Sequence, residues 1–121
     1  MDDLQAEIPK VEAEIDVQDR RRLAAEAERD GAINDLRRLA RDLDLRTRPT
    51  IGNLNNVRRE VENLPDDTGP KVQEALSAIQ RATSSNSAVL RHEDSLKKKR
   101  ATLQGFKQEL RRLKIRFGRG R

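Results

Sequence analysis

The sequence predicts an all-α fold: an elongated, antiparallel, coiled-coil-like hairpin of two long helices, with a short third helix at one end. Three observations lead there. Charged residues make up 39% of the 121-residue chain, against roughly 25% in an average globular domain. The sparse apolar residues recur at alternating three- and four-residue spacings over long stretches, the repeat that lays one stripe along one helix face. Aromatic residues reduce to Phe106 and Phe117, with no Trp or Tyr, which leaves little bulk for a globular core. Such a chain reads as one helical rod domain over residues 1–121.

The first helix is expected over about residues 8–45. Apolar residues fall at Leu4, Ile8, Val11 and Ile15, and the same spacing carried forward lands on Gln18, Arg22, Ala25, Arg29, Ala32, Leu36, Leu39 and Leu43. That is one heptad frame with strong ends and a weak middle. Pro9 lacks a backbone N–H and suits a first turn, which places the start near Ile8 and leaves residues 2–7 to fray. The stop near Leu45 follows from Pro49, which biases its predecessor away from helix.

The second helix, about 50–64, carries Ile51, Leu54, Val57, Val61 and Leu64 in a further three-four stripe. Residues 65–70, Pro-Asp-Asp-Thr-Gly-Pro, are turn chemistry, with Asp66, Asp67 or Thr68 as candidate caps for the next helix.

The third helix is expected over about 70–117. Val89, Leu96, Leu103, Leu110 and Phe117 stand seven residues apart, with Phe106 and Leu113 between them. The earlier Val72, Leu76, Ile79, Thr83, Asn86 and Leu90 read as a frame offset by one, so a stutter is expected, with a kink near Thr83–Ser87. The helical seam is therefore expected at Ile8, Val11, Ile15, Leu36, Leu39, Leu43, Val89, Leu96, Leu103, Phe106, Leu110, Leu113 and Phe117. Off that frame, Val17, Leu23, Ile33 and Ile115 are left over as a second apolar strip.

Charge predicts that the long helices run antiparallel. Residues 2–19 hold seven acids and only Lys10, whereas residues 91–121 hold twelve bases and three acids, a net of +9. An antiparallel pairing lays the acidic start beside the basic end, although each exposed pair contributes only about 0–1 kcal/mol. Arg22 and Arg29 fall on seam positions; either they snorkel to water or Glu93 and Asp94 meet them across the pair.

Chemistry finds no foothold. Cysteine is absent and His92 is the single histidine, so neither a zinc site nor a catalytic triad can be assembled, and no phosphate-binding glycine loop occurs. No catalytic residue, metal, cofactor or small-molecule substrate is expected. Without a long apolar run no membrane-spanning segment is expected, a peripheral membrane rod is the least favoured reading, and a cytoplasmic or nuclear location is the default. In outline the order of elements resembles spectrin-like repeats, but the typical tryptophan is missing and helix two is too short, so no family is assigned.

The strongest functional signal is the basic run Lys97, Lys98, Lys99, Arg100, Lys107, Arg111, Arg112, Lys114, Arg116, Arg119 and Arg121, which ends in a basic tail over 116–121. It is a solvated face balanced by the acidic N-terminal segment, a surface for a phosphate-rich polyanion, or one for an acidic protein. The expected function is that of a structural or adaptor protein working through helix–helix contacts with itself or another chain, as a subunit of a larger homo- or hetero-oligomer. The alternative is sequence-nonspecific nucleic-acid or ribosome binding through the basic half of helix three.

Overall fold

The computed structural model describes residues 2–65 and 68–119, with side chains for 3–65 and 68–115. Its elements are α1 (Asp2–Asp42), a 3-10 turn (Ile51–Asn53), α2 (Leu54–Glu62) and α3 (Lys71–Arg119), with no strand among the described residues. The long helices α1 and α3 pack against each other and α2 is the short third helix, as the sequence predicts. The chain forms two compact units: a two-helix unit, Met1–Arg22 with Arg91–Arg121, and a three-helix unit, Leu23–Leu90.

Helix α1 starts at Asp2 rather than near Ile8, and Pro9 lies inside it. The proline removes one bond, to the Gln5 carbonyl, near the start of a helix whose first four amides have no partner in any case, so few helical bonds lie ahead of it. At the other end, Asp44 takes a left-handed conformation (φ 56°). The Leu45 N–H then reaches back to the Ala40 carbonyl at 2.8 Å and the Asp44 N–H to that of Arg41 at 3.2 Å, the paired bonds of a Schellman stop.

The connection to α2 is held by side chains. Arg37 Nε donates to the Pro49 carbonyl at 3.0 Å, and Asn53 both accepts from Thr50 N–H and donates to the Arg48 carbonyl, each at 2.8 Å. Pro49 itself is fully buried. Ahead of α3, Thr68 donates its hydroxyl to the Pro65 carbonyl at 2.6 Å rather than capping the helix. The alternative caps, Asp66 and Asp67, lie outside the described residues.

The three-helix unit has one continuous core. Ala32, Ile33, Leu36, Leu39 and Leu43 of α1 meet Leu54, Val57 and Val61 of α2 and Ala75, Ala78, Ile79 and Ala82 of α3, with Ile51, Leu64, Val72 and Leu76 packed around them. Ile33 is thus core, 6% exposed, and not part of a leftover strip. Val17, Leu23 and Ile115 are exposed, and Val17 and Leu23 point about 120° apart round α1, so they form no strip.

The predicted stutter in α3 is also corrected. Ala75, Ala78, Ala82, Ser85, Val89 and Leu96 are all buried, whereas Leu90 is 58% exposed and Thr83 is exposed. The buried set follows one uninterrupted heptad frame, shared by the half-buried Leu103, Phe106, Leu110 and Leu113. Small residues hold its first turns and so gave no apolar signal in the sequence. Val72, Leu76 and Ile79 belong to the neighbouring face, which the core of α2 completes. Thr83–Ser87 makes no break in the helix; Thr83 returns its hydroxyl to the Ile79 carbonyl at 2.8 Å.

Candidate functional site

The two-helix unit carries the basic run, and its seam sets which way those side chains point. Val11 and Leu96 are buried, as are Leu36, Leu39, Leu43 and Val89 in the three-helix unit. Ile8, Ile15, Leu103, Phe106, Leu110 and Leu113 are half-buried. The side chain of Phe117 is outside what the structure describes. Two polar residues continue the seam: Gln18 Nε2 and His92 Nδ1 are hydrogen-bonded across the helix pair.

The seam arginines are partly buried and take partners other than Glu93 and Asp94. Arg22 holds Asp19 of its own helix at 2.8 Å. Arg29 reaches Asp30 at 3.2 Å and donates to Asn86 Oδ1 of α3 at 3.4 Å. Asp94 is engaged by Lys98 at 3.0 Å, one turn along α3.

The ion pairs that bridge α1 and α3 share one flank. Their acids, Glu14, Glu28, Asp35 and Asp42, occupy the same heptad position, seven or fourteen residues apart. In the two-helix unit Lys99 faces Glu14 at 3.8 Å. In the three-helix unit Arg81 lies between Glu28 at 3.5 Å and Asp35 at 3.2 Å, and Lys71 meets Asp42 at 3.2 Å. Partner numbers rise on α3 as they fall on α1 among the ion pairs of the three-helix unit, and Glu14–Lys99 with Gln18–His92 gives the same antiparallel sense in the two-helix unit.

The other flank of α3 is different. Lys97, Arg100, Gln104, Lys107, Arg111 and Lys114 follow each other at three- and four-residue steps, about 100° round the helix from the seam. All six are exposed, and none of the five cations makes an ion pair with a described residue. The basic run of the sequence contains these five cations without separating them from Lys98 and Lys99, which have partners, or from Arg112, which lies farther round. The distinguishing signal is the heptad frame, since Arg100, Lys107 and Lys114 stand one residue after the seam positions Lys99, Phe106 and Leu113. The side chains of Arg116, Arg119 and Arg121 are outside what the structure describes.

Among the described residues no three His, Asp or Glu side chains converge as metal ligands, and no helix is long and apolar enough to cross a membrane. No family model, no curated protein and no solved structure matches this chain.

Proposed function

We propose that the chain is a non-enzymatic structural or adaptor protein that works through helix–helix contacts, with the two-helix unit taking a further helix along its seam. One observation carries this reading. In the three-helix unit the packing of α2 leaves Leu36, Val57 and Ile79 fully buried, whereas Leu4, Ile8, Ile15, Leu103, Phe106, Leu110 and Leu113 of the two-helix unit all keep part of their surface in water. Removing such surface from water stabilises by roughly 25 cal/mol per Å², so a third helix there has the same driving force that seats α2 on its own unit. The partner is a second copy or a different chain.

Size-exclusion chromatography with light scattering, at low and high salt, tests this together with the variant Phe106→Ala. Self-pairing gives a mass above 13.8 kDa that Phe106→Ala lowers. If the partner is a different chain, the protein runs as a monomer and Phe106→Ala destabilises it by only about 1–2 kcal/mol, because the ring is half-covered. A monomer in which that variant costs the full 3–5 kcal/mol of a sealed core aromatic would sink the proposal.

A further inference from the structure

We propose a second surface, distinct from the seam: the flank of α3 carrying Lys97, Arg100, Lys107, Arg111 and Lys114 docks the phosphate backbone of a nucleic-acid duplex, without reading base sequence. Charge is shared unevenly between the two units. The two-helix unit holds sixteen bases and ten acids, a net of +6, while the three-helix unit holds ten and eleven, a net of −1. The whole positive excess of the protein therefore sits in the unit that bears this flank.

Internal pairing does not consume it. The bridges between α1 and α3 use the opposite flank, through Glu14 and Lys99 here, and Glu109, the only acid after Asp94 in the sequence, lies on the far side of the helix from the five cations. Their side chains stand in solvent without an ion pair to a described residue, so a polyanion meets them with no internal pair to break. From Lys97 to Lys114 the row runs about 26 Å along one helix, with a cation roughly every turn.

The composition of the row selects the polyanion. Gln104 is its one neutral member, and it contains neither an apolar nor an acidic side chain. A protein helix docking there would gain no apolar burial to offset its lost freedom, whereas release of condensed counterions drives binding to the densest linear charge, the duplex backbone. A membrane surface would require the apolar side of the same helix, and that side is turned to α1. Single strands fit poorly, since the chain has no Tyr or Trp on which to stack bases and Phe106 sits in the seam.

The test is fluorescence anisotropy of the full chain with a labelled 25-base-pair duplex of arbitrary sequence, titrated between about 50 and 200 mM salt. The native chain should bind at the low end, with affinity falling steeply as salt rises. The triple variant Arg100→Gln, Lys107→Gln, Arg111→Gln should weaken binding by on the order of tenfold or more at 50 mM and flatten the log–log salt slope by about 2.7, near 0.9 per lost phosphate contact. Arg41→Gln, Arg48→Gln, Arg59→Gln, an equal charge change in the three-helix unit, should leave the slope unchanged. Arg100→Lys with Arg111→Lys should retain it, which separates charge from any structural effect, and circular dichroism should show unchanged helicity in all. The proposal is overturned by absence of duplex binding at 50 mM, or by equal slope loss in the control variant. Capture by polyglutamate or phosphatidylserine vesicles in preference to the duplex overturns it as well. None of these outcomes bears on the seam, which keeps the two proposals separable.

Discussion

Glu60 of α2 accepts from the Arg46 N–H at 2.9 Å, from the Thr47 N–H at 3.0 Å and from the Thr47 hydroxyl, so a single carboxylate pins the segment that leaves α1. These donors favour the ionised form and hold its pKa below the usual glutamate value, the Thr47 hydroxyl contributing most, with partial burial opposing it and the Arg46 charge adding to it. Because the folded value is depressed, this stabilisation is complete above the ordinary value of 4.5 and is lost as pH falls through and below it. Glu60→Gln should lower stability at pH 7 by about 1 kcal/mol, the low end for hydrogen bonds to a charged group because water reaches this one. The difference from the native chain should shrink between about pH 5 and 3 as the native carboxyl protonates, which thermal melts of both proteins across that range would show. A difference that does not change with pH would assign the loss to shape rather than charge.

At the scale of the helices, the large apolar residues made most of the architecture readable. The stripes Leu36–Leu39–Leu43, Leu54–Val57–Val61 and Leu96–Leu103–Leu110 follow spacing alone, and acid-rich and base-rich ends announce their pairing. Small residues hid the rest. Ala75, Ala78, Ala82 and Ser85 occupy the α3 seam, where their size lets α1 approach and leaves room for Leu36 and Leu39, yet a reading weighted by apolar bulk passes over them to Leu90. The unpaired flank of α3 was legible only as a cluster, because telling it from Lys98 and Lys99 requires the frame those small residues conceal. The offset frame is tested at its last member: Leu90→Ala, at a position 58% exposed, should fall within about 0.5 kcal/mol of neutral, whereas Val89→Ala, at a position 1% exposed, should cost upward of about 1 kcal/mol. Denaturant melts read both. A large loss at Leu90 would restore the offset frame.

For the molecule as a whole, the two units differ in how their helices are covered, and that difference is what both proposed surfaces depend on. A helix opens locally at a free energy set by the contacts it must give up. In the three-helix unit an opening anywhere along 32–43, 54–61 or 75–82 uncovers side chains that are almost wholly buried, and α1, α2 and α3 must part together. In the two-helix unit Val11 and Leu96 are the well-covered positions, and the rest of the seam, Leu4, Ile8, Ile15, Leu103, Phe106, Leu110 and Leu113, is already partly wet. The flanking ion pair between Glu14 and Lys99, at 3.8 Å and solvent-exposed on the Glu14 side, adds at most about 1 kcal/mol. Native-state hydrogen exchange on the isolated chain should therefore find the slowest amides in α2 and the facing stretches of α1 and α3, with residues 4–18 and 99–113 exchanging through smaller openings. Duplex bound on the α3 flank should slow residues 97–114 with little effect on 4–18, since it touches one helix. A helix seated in the seam should slow both stretches together, since it bridges them. Uniform protection in the isolated chain would mean that the two-helix unit is as well sealed as its neighbour, and would remove the physical reason for a partner.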